Sequence, residues 1–201
     1  LNGIDYKIWN PKRDKHIPSN FSIDDLKGKL KNKKVLLERF RLHFNKNTPT
    51  IGIVSRLATQ KGFDLILSSL EYLMGIDLQI VLLGSGENED ESSFNARANK
   101  YSHKLVSYHV YNKELSQLIE AVSVIFLMPS HYEPCGLNQL YSLKYGTIPI
   151  VRKTGGLADT VLDWDERQAK GFDDGTGYSF NDSNGYALTN AVERAIRDFN
   201  N

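Results

Sequence analysis

The stretch SVIFLMPSHYEPCGLNQLYSLKYGTIPIVR (123–152) opens on a short apolar run, breaks at a proline-containing loop, resumes with helical spacing and ends on a second apolar run. Neither apolar run alternates with polar residues. Strands that are apolar at every position are buried on both faces, as in a parallel sheet covered by helices. A strand, a helix and a strand in that order make a right-handed crossover unit. This stretch places the chain in the α/β class.

The same rhythm runs outward in both directions. Upstream, TPTIGIVSRL, DLQIVLLG and KLVSYHV read as strands, and FDLILSSLEYL, EDESSFNARANKYS and KELSQLIEAV as the helices between them. Downstream come a short helix in GLADTVLD and an amphipathic helix in YALTNAVERAIRDF. The pattern predicts an open, Rossmann-like, doubly wound parallel sheet over residues 49–201. Residues 1–48 read as an irregular lead-in followed by a helix over 22–43, with Ser22 as N-cap, Asp24 and Asp25 in the first turn and a break at Gly28. The first residue is Leu1 rather than Met, so the chain reads as a fragment or a processed product.

Composition narrows the function. A chain of 201 residues, 40% hydrophobic, suffices for one good-sized core. A net charge of +1 supplies no field for nucleic acid or an anionic membrane. The basic stretch 27–41 is interrupted by acids and apolar residues and reads as a solvated helix face. One cysteine excludes an internal disulfide and fits a reducing compartment. No apolar run approaches the roughly 20 residues that span a bilayer, and no signal peptide is expected from the sequence. The five histidines lack the spacing of a zinc site, so no metal is expected.

In open parallel sheets ligands bind beyond the carboxyl ends of the strands, so the strand-to-helix loops carry the chemistry. In SRLATQKG (55–62), Arg56 and Lys61 flank one loop, as suits an anionic phosphate or two surface cations. LLGSGENED (82–90) holds a Gly84-x-Gly86 turn without the full dinucleotide fingerprint. In SYHVYNKE (107–114), Tyr108 and Tyr111 stand at a strand end, where an aromatic stacks on a base or packs in the core. In PSHYEPCGLNQ (129–139), Pro134 forbids a helix interior, so a helix starting near Gly136 turns the amides of Gly136, Leu137 and Asn138 outward toward an anion. Glu133, just before them, suits hydroxyl donors. A polyol joined to a phosphate, a sugar nucleotide, satisfies both. Gly155 and Gly156, before the next helix, let backbone approach a ligand closely. Cys135 has no positioned partner for nucleophilic work and reads as a small residue lining the pocket.

Taken together, NGID…WNP (2–11), SRLATQKG (55–62), LLGSG (82–86), residues 129–161 and GTGYSF (175–180) resemble the glycogen and starch synthases of bacteria and plants. The resemblance implies one half of a two-domain GT-B enzyme, the C-terminal donor-binding domain, with the N-terminal acceptor domain absent. It implies a retaining transfer of glucose from ADP-glucose to the non-reducing end of an α-1,4-glucan, with no cofactor and no metal, in a bacterial cytoplasm or a plastid. The isolated chain would at most bind ADP-glucose or ADP. By position, the resemblance makes Arg56 and Lys61 the pair on the distal phosphate and Glu133 the carboxylate facing the glucose hydroxyls. Cys135 and Gly136 line the sugar pocket, the Leu137 and Asn138 amides reach the phosphate, and Tyr108 stacks on adenine. Related retaining transferases place a second glutamate eight residues after the first. Here that position is Tyr141, which leaves the ribose contact unassigned. Asp163-Trp164-Asp165 mimics the Asp-x-Asp of metal-dependent transfer but follows a short helix, and reads as a surface pair. Two alternatives stand beside this reading: a retaining GT-B transferase of the sucrose, trehalose or lipid-glycoside type, and a non-catalytic nucleotide-binding module.

Overall fold

The structure, a computed structural model, describes residues 3–86, 88–110 and 112–200. Six strands form one parallel sheet: β1 (Thr50–Val54), β2 (Gln79–Leu83), β3 (Leu105–Tyr108), β4 (Ile125–Met128), β5 (Ile148–Arg152) and β6 (Tyr178–Phe180). Their order is β3-β2-β1-β4-β5-β6, and every pair is parallel. The helices are α1 (Lys27–Arg39), α2 (Phe63–Gly75), α3 (Asn88–Lys100), α4 (Lys113–Val122), α5 (Asn138–Lys144), α6 (Gly155–Thr160), α7 (Trp164–Ala169) and α8 (Gly185–Asn200).

Alternate strand residues feed two cores. Ile51, Ile53, Ile80, Leu82, Ile125, Leu127 and Ile150 pack on one face under α2, α3 and α8. Val81, Leu83, Phe126, Met128 and Val151 pack on the other face under α1, α4 and α6. The period of two within an all-apolar strand supplies both cores, because each pleat turns its neighbours to opposite sides. The doubly wound sheet inferred from the sequence is therefore the one observed.

The lead-in belongs to this body. Ile17, Phe21, Leu36, Leu37 and Leu42 are buried in the second core. Its helix differs from the one predicted. It starts at Lys27, and Ser22 instead closes a turn with Asp25. Gly28 does not interrupt the helix but lets it sit on the chain before it, since an added Cβ would lie 2.4 Å from the Asn20 carbonyl oxygen. The basic face is not wholly solvated either. Lys33 is buried and donates to the carbonyls of Asn45 and Thr48. Lys29 donates to the Tyr145 carbonyl and to Thr147 Oγ1, and burial pushes its ammonium down to about 7 against the raising influence of Glu120.

The last strand and α7 were not predicted. Both depend on Asp163, which is buried rather than a surface residue. Its carboxylate caps α7 through the Glu166 amide, accepts from the Ser179 amide at 2.6 Å and pairs with Arg194 at 3.1 Å. Burial disfavours its charge, but these donors outweigh burial and hold the carboxyl below its ordinary range.

Candidate functional site

Strands β1 and β4 are neighbours, yet the chain winds from β1 toward β3 on one side and from β4 toward β6 on the other. The loops leaving them diverge and open a crevice at the carboxyl edge of the sheet. Two adjoining cavities occupy it, sharing Val54, Ser55 and Asn138 as a common wall.

The smaller cavity, about 90 Å³, is lined by Lys61, Ser130, Glu133, Gly136 and Leu137 among others. One turn of tight helix, Thr59–Lys61, ends at Gly62 in the left-handed conformation and aims Lys61 across the crevice. Lys61 Nζ lies 2.5 Å from Glu133 Oε2, and Ser130 Oγ donates to the same oxygen at 3.2 Å. Glu133 is 8% exposed. Among the described residues nothing donates to its other oxygen.

The loop that carries Glu133 is held from several sides. The His131 amide donates to the Gln60 carbonyl, and Gln60 Nε2 donates to that of Tyr132. Arg152 donates to the carbonyls of Ser130 and His131. The His131 ring bridges Ser183 Oγ at 2.7 Å and Asp64 Oδ1 at 2.8 Å, which leaves it no role beside Cys135.

Helix α5 starts at Asn138, two residues later than predicted, after Gly136 in the left-handed region at φ 68°. Among the described residues the amides of Gly136, Leu137 and Asn138 donate to no carbonyl. The Asn138 side chain is committed elsewhere, donating to the Val54 carbonyl at 2.8 Å, and so anchors α5 to β1. What remains at this corner is backbone N–H groups, an arrangement suited to an anion.

The larger cavity, about 240 Å³, is walled by Trp9, Val54, Leu83, Val110 and Tyr141, with Arg56 exposed at its margin. Trp9 stacks on Tyr141 with centroids 3.6 Å apart and planes within 7°. From α4 comes Glu120, 2% exposed. Burial pushes its carboxyl up to about 8, opposed by the Ser142 hydrogen bond and the Lys29 charge.

The predicted residues divide accordingly. Lys61, Glu133, Gly136, Leu137 and Asn138 come together in the small cavity, and Arg56 borders the large one. Lys61 and Arg56 thus line different cavities, and Lys61 is paired with a carboxylate. Tyr108 enters neither cavity, because its ring packs on Phe40 in the second core. Tyr111 lies outside the described residues. Cys135 is exposed and lines neither cavity. Gly155 and Gly156 approach backbone rather than open space. An added Cβ would stand 2.2 Å from the Glu133 carbonyl oxygen at the first and 2.3 Å from that of Cys135 at the second. The Gly156 amide donates to the Glu133 carbonyl at 3.0 Å. These glycines let the β5–α6 turn support the Glu133 loop from behind.

Sequence reasoning did not place Trp9 or Glu120 in the site, and met Tyr141 only as the residue standing where related transferases carry a second glutamate. Trp9 fell in a segment read as irregular, and Glu120 in a segment read only as a helix between two strands. The one available signal was a carboxylate at a position of α4 that turns inward. Among the described residues no three of His, Cys, Asp or Glu gather as a metal site requires. Among them, too, no helix is long and apolar enough to cross a membrane.

Residues 35–200 match the family described as glycosyl transferases group 1. The chain is 47% identical over 202 residues to a glycogen synthase of Streptococcus uberis, a match that covers 100% of this chain and 41% of that protein. Among solved structures, the catalytic domain of starch synthase IV from Arabidopsis thaliana, bound to ADP and acarbose, superposes with a TM-score of 0.90 at 34% identity. That match covers 99% of this chain and 41% of that one. A sucrose-phosphate synthase from Thermosynechococcus elongatus, at 20% identity and a TM-score of 0.65 over 84% of this chain and 40% of that one, shares the fold. The chain spans about two fifths of the length of the curated relatives it matches.

Proposed function

The chain belongs to the group 1 glycosyl transferases, and from that premise we propose that it is the ADP-glucose-binding half of a retaining enzyme that extends an α-1,4-glucan. The observation that carries the proposal is the pair of adjoining cavities at the β1/β4 crevice. One is larger and walled by apolar and aromatic side chains. The other is small and holds a carboxylate, a lysine and free backbone amides. A nucleotide sugar has the same division. Its nucleoside suits the first cavity and its hexose the second, with the diphosphate at the shared wall. The identity to glycogen synthases along the full chain supports glucose and glucan. The ADP bound to the similar starch synthase domain supports adenine.

On this reading Glu133 Oε1 accepts from glucose hydroxyls. Lys61, Arg56 and the Leu137 and Asn138 amides meet the charge that grows on the diphosphate as the glycosidic bond breaks. Fixed donors aimed at developing charge are each worth roughly 2.7–4 kcal/mol in rate. No step on this reading draws on a metal. The glucan is held by a second domain that faces this one across a cleft.

Calorimetric titration of the chain with ADP, UDP and ADP-glucose tests the proposal. ADP and ADP-glucose are expected to bind and UDP to bind at least tenfold more weakly. A preference for UDP moves the chain to a different donor and overturns the adenine assignment.

A further inference from the structure

One group in the crevice has no part in the scheme above. Glu120 stands in the wall of the larger cavity, carried by α4 between the Trp9–Tyr141 stack and the loops after β1 and β2. It is 2% exposed. Its Oε2 accepts from Ser142 Oγ at 2.8 Å. Its Oε1 has no hydrogen-bond partner among the described residues and is not sealed from open space. The nearby charge of Lys29 is already spent on the Tyr145 carbonyl and Thr147 Oγ1. A carboxyl oxygen that borders a cavity on an otherwise buried residue is met there by water or by a ligand. The remaining lining is mostly apolar, and pockets of that kind fix orientation with a small number of polar groups.

We propose that Glu120 is the specificity-determining anchor of the nucleoside, hydrogen-bonding through Oε1 to a group that offers a donor. This rests on the nucleotide-sugar reading above. Burial keeps the carboxyl largely protonated near neutral pH; with Oε2 accepting from Ser142, the proton sits on Oε1, whose hydroxyl both donates and accepts toward the cavity. Two parts of adenosine match that pattern: a ribose hydroxyl, and the amino edge of adenine. Both carry an N–H or O–H that Glu120 accepts, and the test separates them. Tyr141 and Trp9 have no carboxyl to offer. Glu120 and Ser116 are the polar side chains that α4 brings to this cavity.

The experiment is a calorimetric titration of the full 201-residue chain, wild type, Glu120→Met and Glu120→Gln. The ligands are ADP, 2′-deoxy-ADP, 3′-deoxy-ADP and the purine riboside diphosphate that lacks the amino group. Wild type should bind one of the three analogues about tenfold more weakly than ADP. Glu120→Met should lose the same factor on ADP and nothing further on that analogue. Glu120→Gln preserves the acceptor for Ser142 but turns a donor-only amide to the cavity, and should lose selectivity in the same direction. It carries the test if the methionine variant fails to melt cooperatively. The analogue affected identifies the contact as ribose or base. The proposal is overturned if wild type binds all three analogues within twofold of ADP. It is equally overturned if either variant weakens ADP and every analogue alike, the mark of a structural role. ADP binding that ignores Glu120 sinks this inference alone, whereas no ADP binding by wild type removes the nucleotide-sugar reading with it.

Discussion

Removing the charge of Glu133 should tighten ADP binding while weakening the preference for ADP-glucose. Lys61 Nζ is held 2.5 Å from Glu133 Oε2, and both side chains are mostly buried, at 20% and 11% exposure. Two unit charges about 4 Å apart attract by about 4 kcal/mol at an effective dielectric of 20. A phosphate that recruits Lys61 must compete with that attraction. Glu133→Gln keeps the shape and the hydrogen bond to Ser130 but removes the competing charge. Most of the gross attraction is offset by resolvation and by the second pull of the phosphate. A remainder of about 1 kcal/mol corresponds to ADP binding roughly fivefold more tightly.

Lys61→Ala should do the opposite. A charge-assisted hydrogen bond contributes about 1.5–3 kcal/mol, so ADP should weaken roughly ten- to hundredfold. The decisive comparison is the double variant. If Lys61 is shared between carboxylate and phosphate, the gain from Glu133→Gln disappears in the Lys61→Ala background, because nothing remains to be released. Calorimetry of the four proteins at fixed ionic strength reads this directly. ADP-glucose supplies the second axis. Its affinity relative to ADP should fall in Glu133→Gln, since an amide is a poorer acceptor for the sugar hydroxyls. A gain that persists without Lys61, or a tenfold loss of ADP affinity in Glu133→Gln, would refute the competition.

Two further predictions concern the scaffold. Gly156→Ala places a Cβ 2.3 Å from the Cys135 carbonyl oxygen and 2.5 Å from its Cα, backbone that cannot swing away. It should destabilise by about 1–3 kcal/mol, lowering the melting temperature by roughly 2–12 °C. ADP-glucose affinity should fall with it, while Gly75→Ala, with nothing within 4 Å, is neutral or stabilising in the same melt. Asp163→Asn should cost about 3–5 kcal/mol, because Arg194 and the Ser179 amide lose a buried carboxylate. Asp165→Asn, whose side chain is 38% exposed, should cost under about 1 kcal/mol in urea titrations. The folded pKa of Asp163 lies below its unfolded value. Its contribution is therefore complete above about pH 4 and lost as pH falls through the folded pKa. The acid slope of stability below about pH 4 should be shallower in Asp163→Asn, and an unchanged slope would show that the carboxylate is not held down.

The fold was legible because the central strands are apolar without alternation, a pattern only a sheet covered on both sides tolerates. The strand that escaped, Tyr178–Phe180, is 3 residues long and follows a glycine-rich loop. It owes its place to Asp163, whose carboxylate reaches across 16 positions to the Ser179 amide. No local pattern announces such a bond. The Asp-x-Asp looked like a surface pair for the same reason, since sequence reports spacing but not which way a carboxylate turns.

The site divided along the same line. The anion corner could be read because it is local: a proline, a left-handed glycine and a helix start lie within a few residues of Glu133. The aromatic at the strand end could not, because a residue at the end of β3 faces either the crevice or the helices, and Tyr108 faces Phe40. The cavity wall that holds Glu120 is assembled from positions 9, 120 and 141, drawn from the lead-in, α4 and α5. The lead-in reaches that wall only because Ile17, Phe21 and α1 are buried in the second core, with Tyr145 Oη donating to Asp14 at 2.6 Å. The segment that looks least structured in the sequence therefore supplies Trp9 to the site. Its anchoring in the core fixes where Trp9 stacks, so changes near Asp14 should be felt in the crevice before they are felt in the sheet.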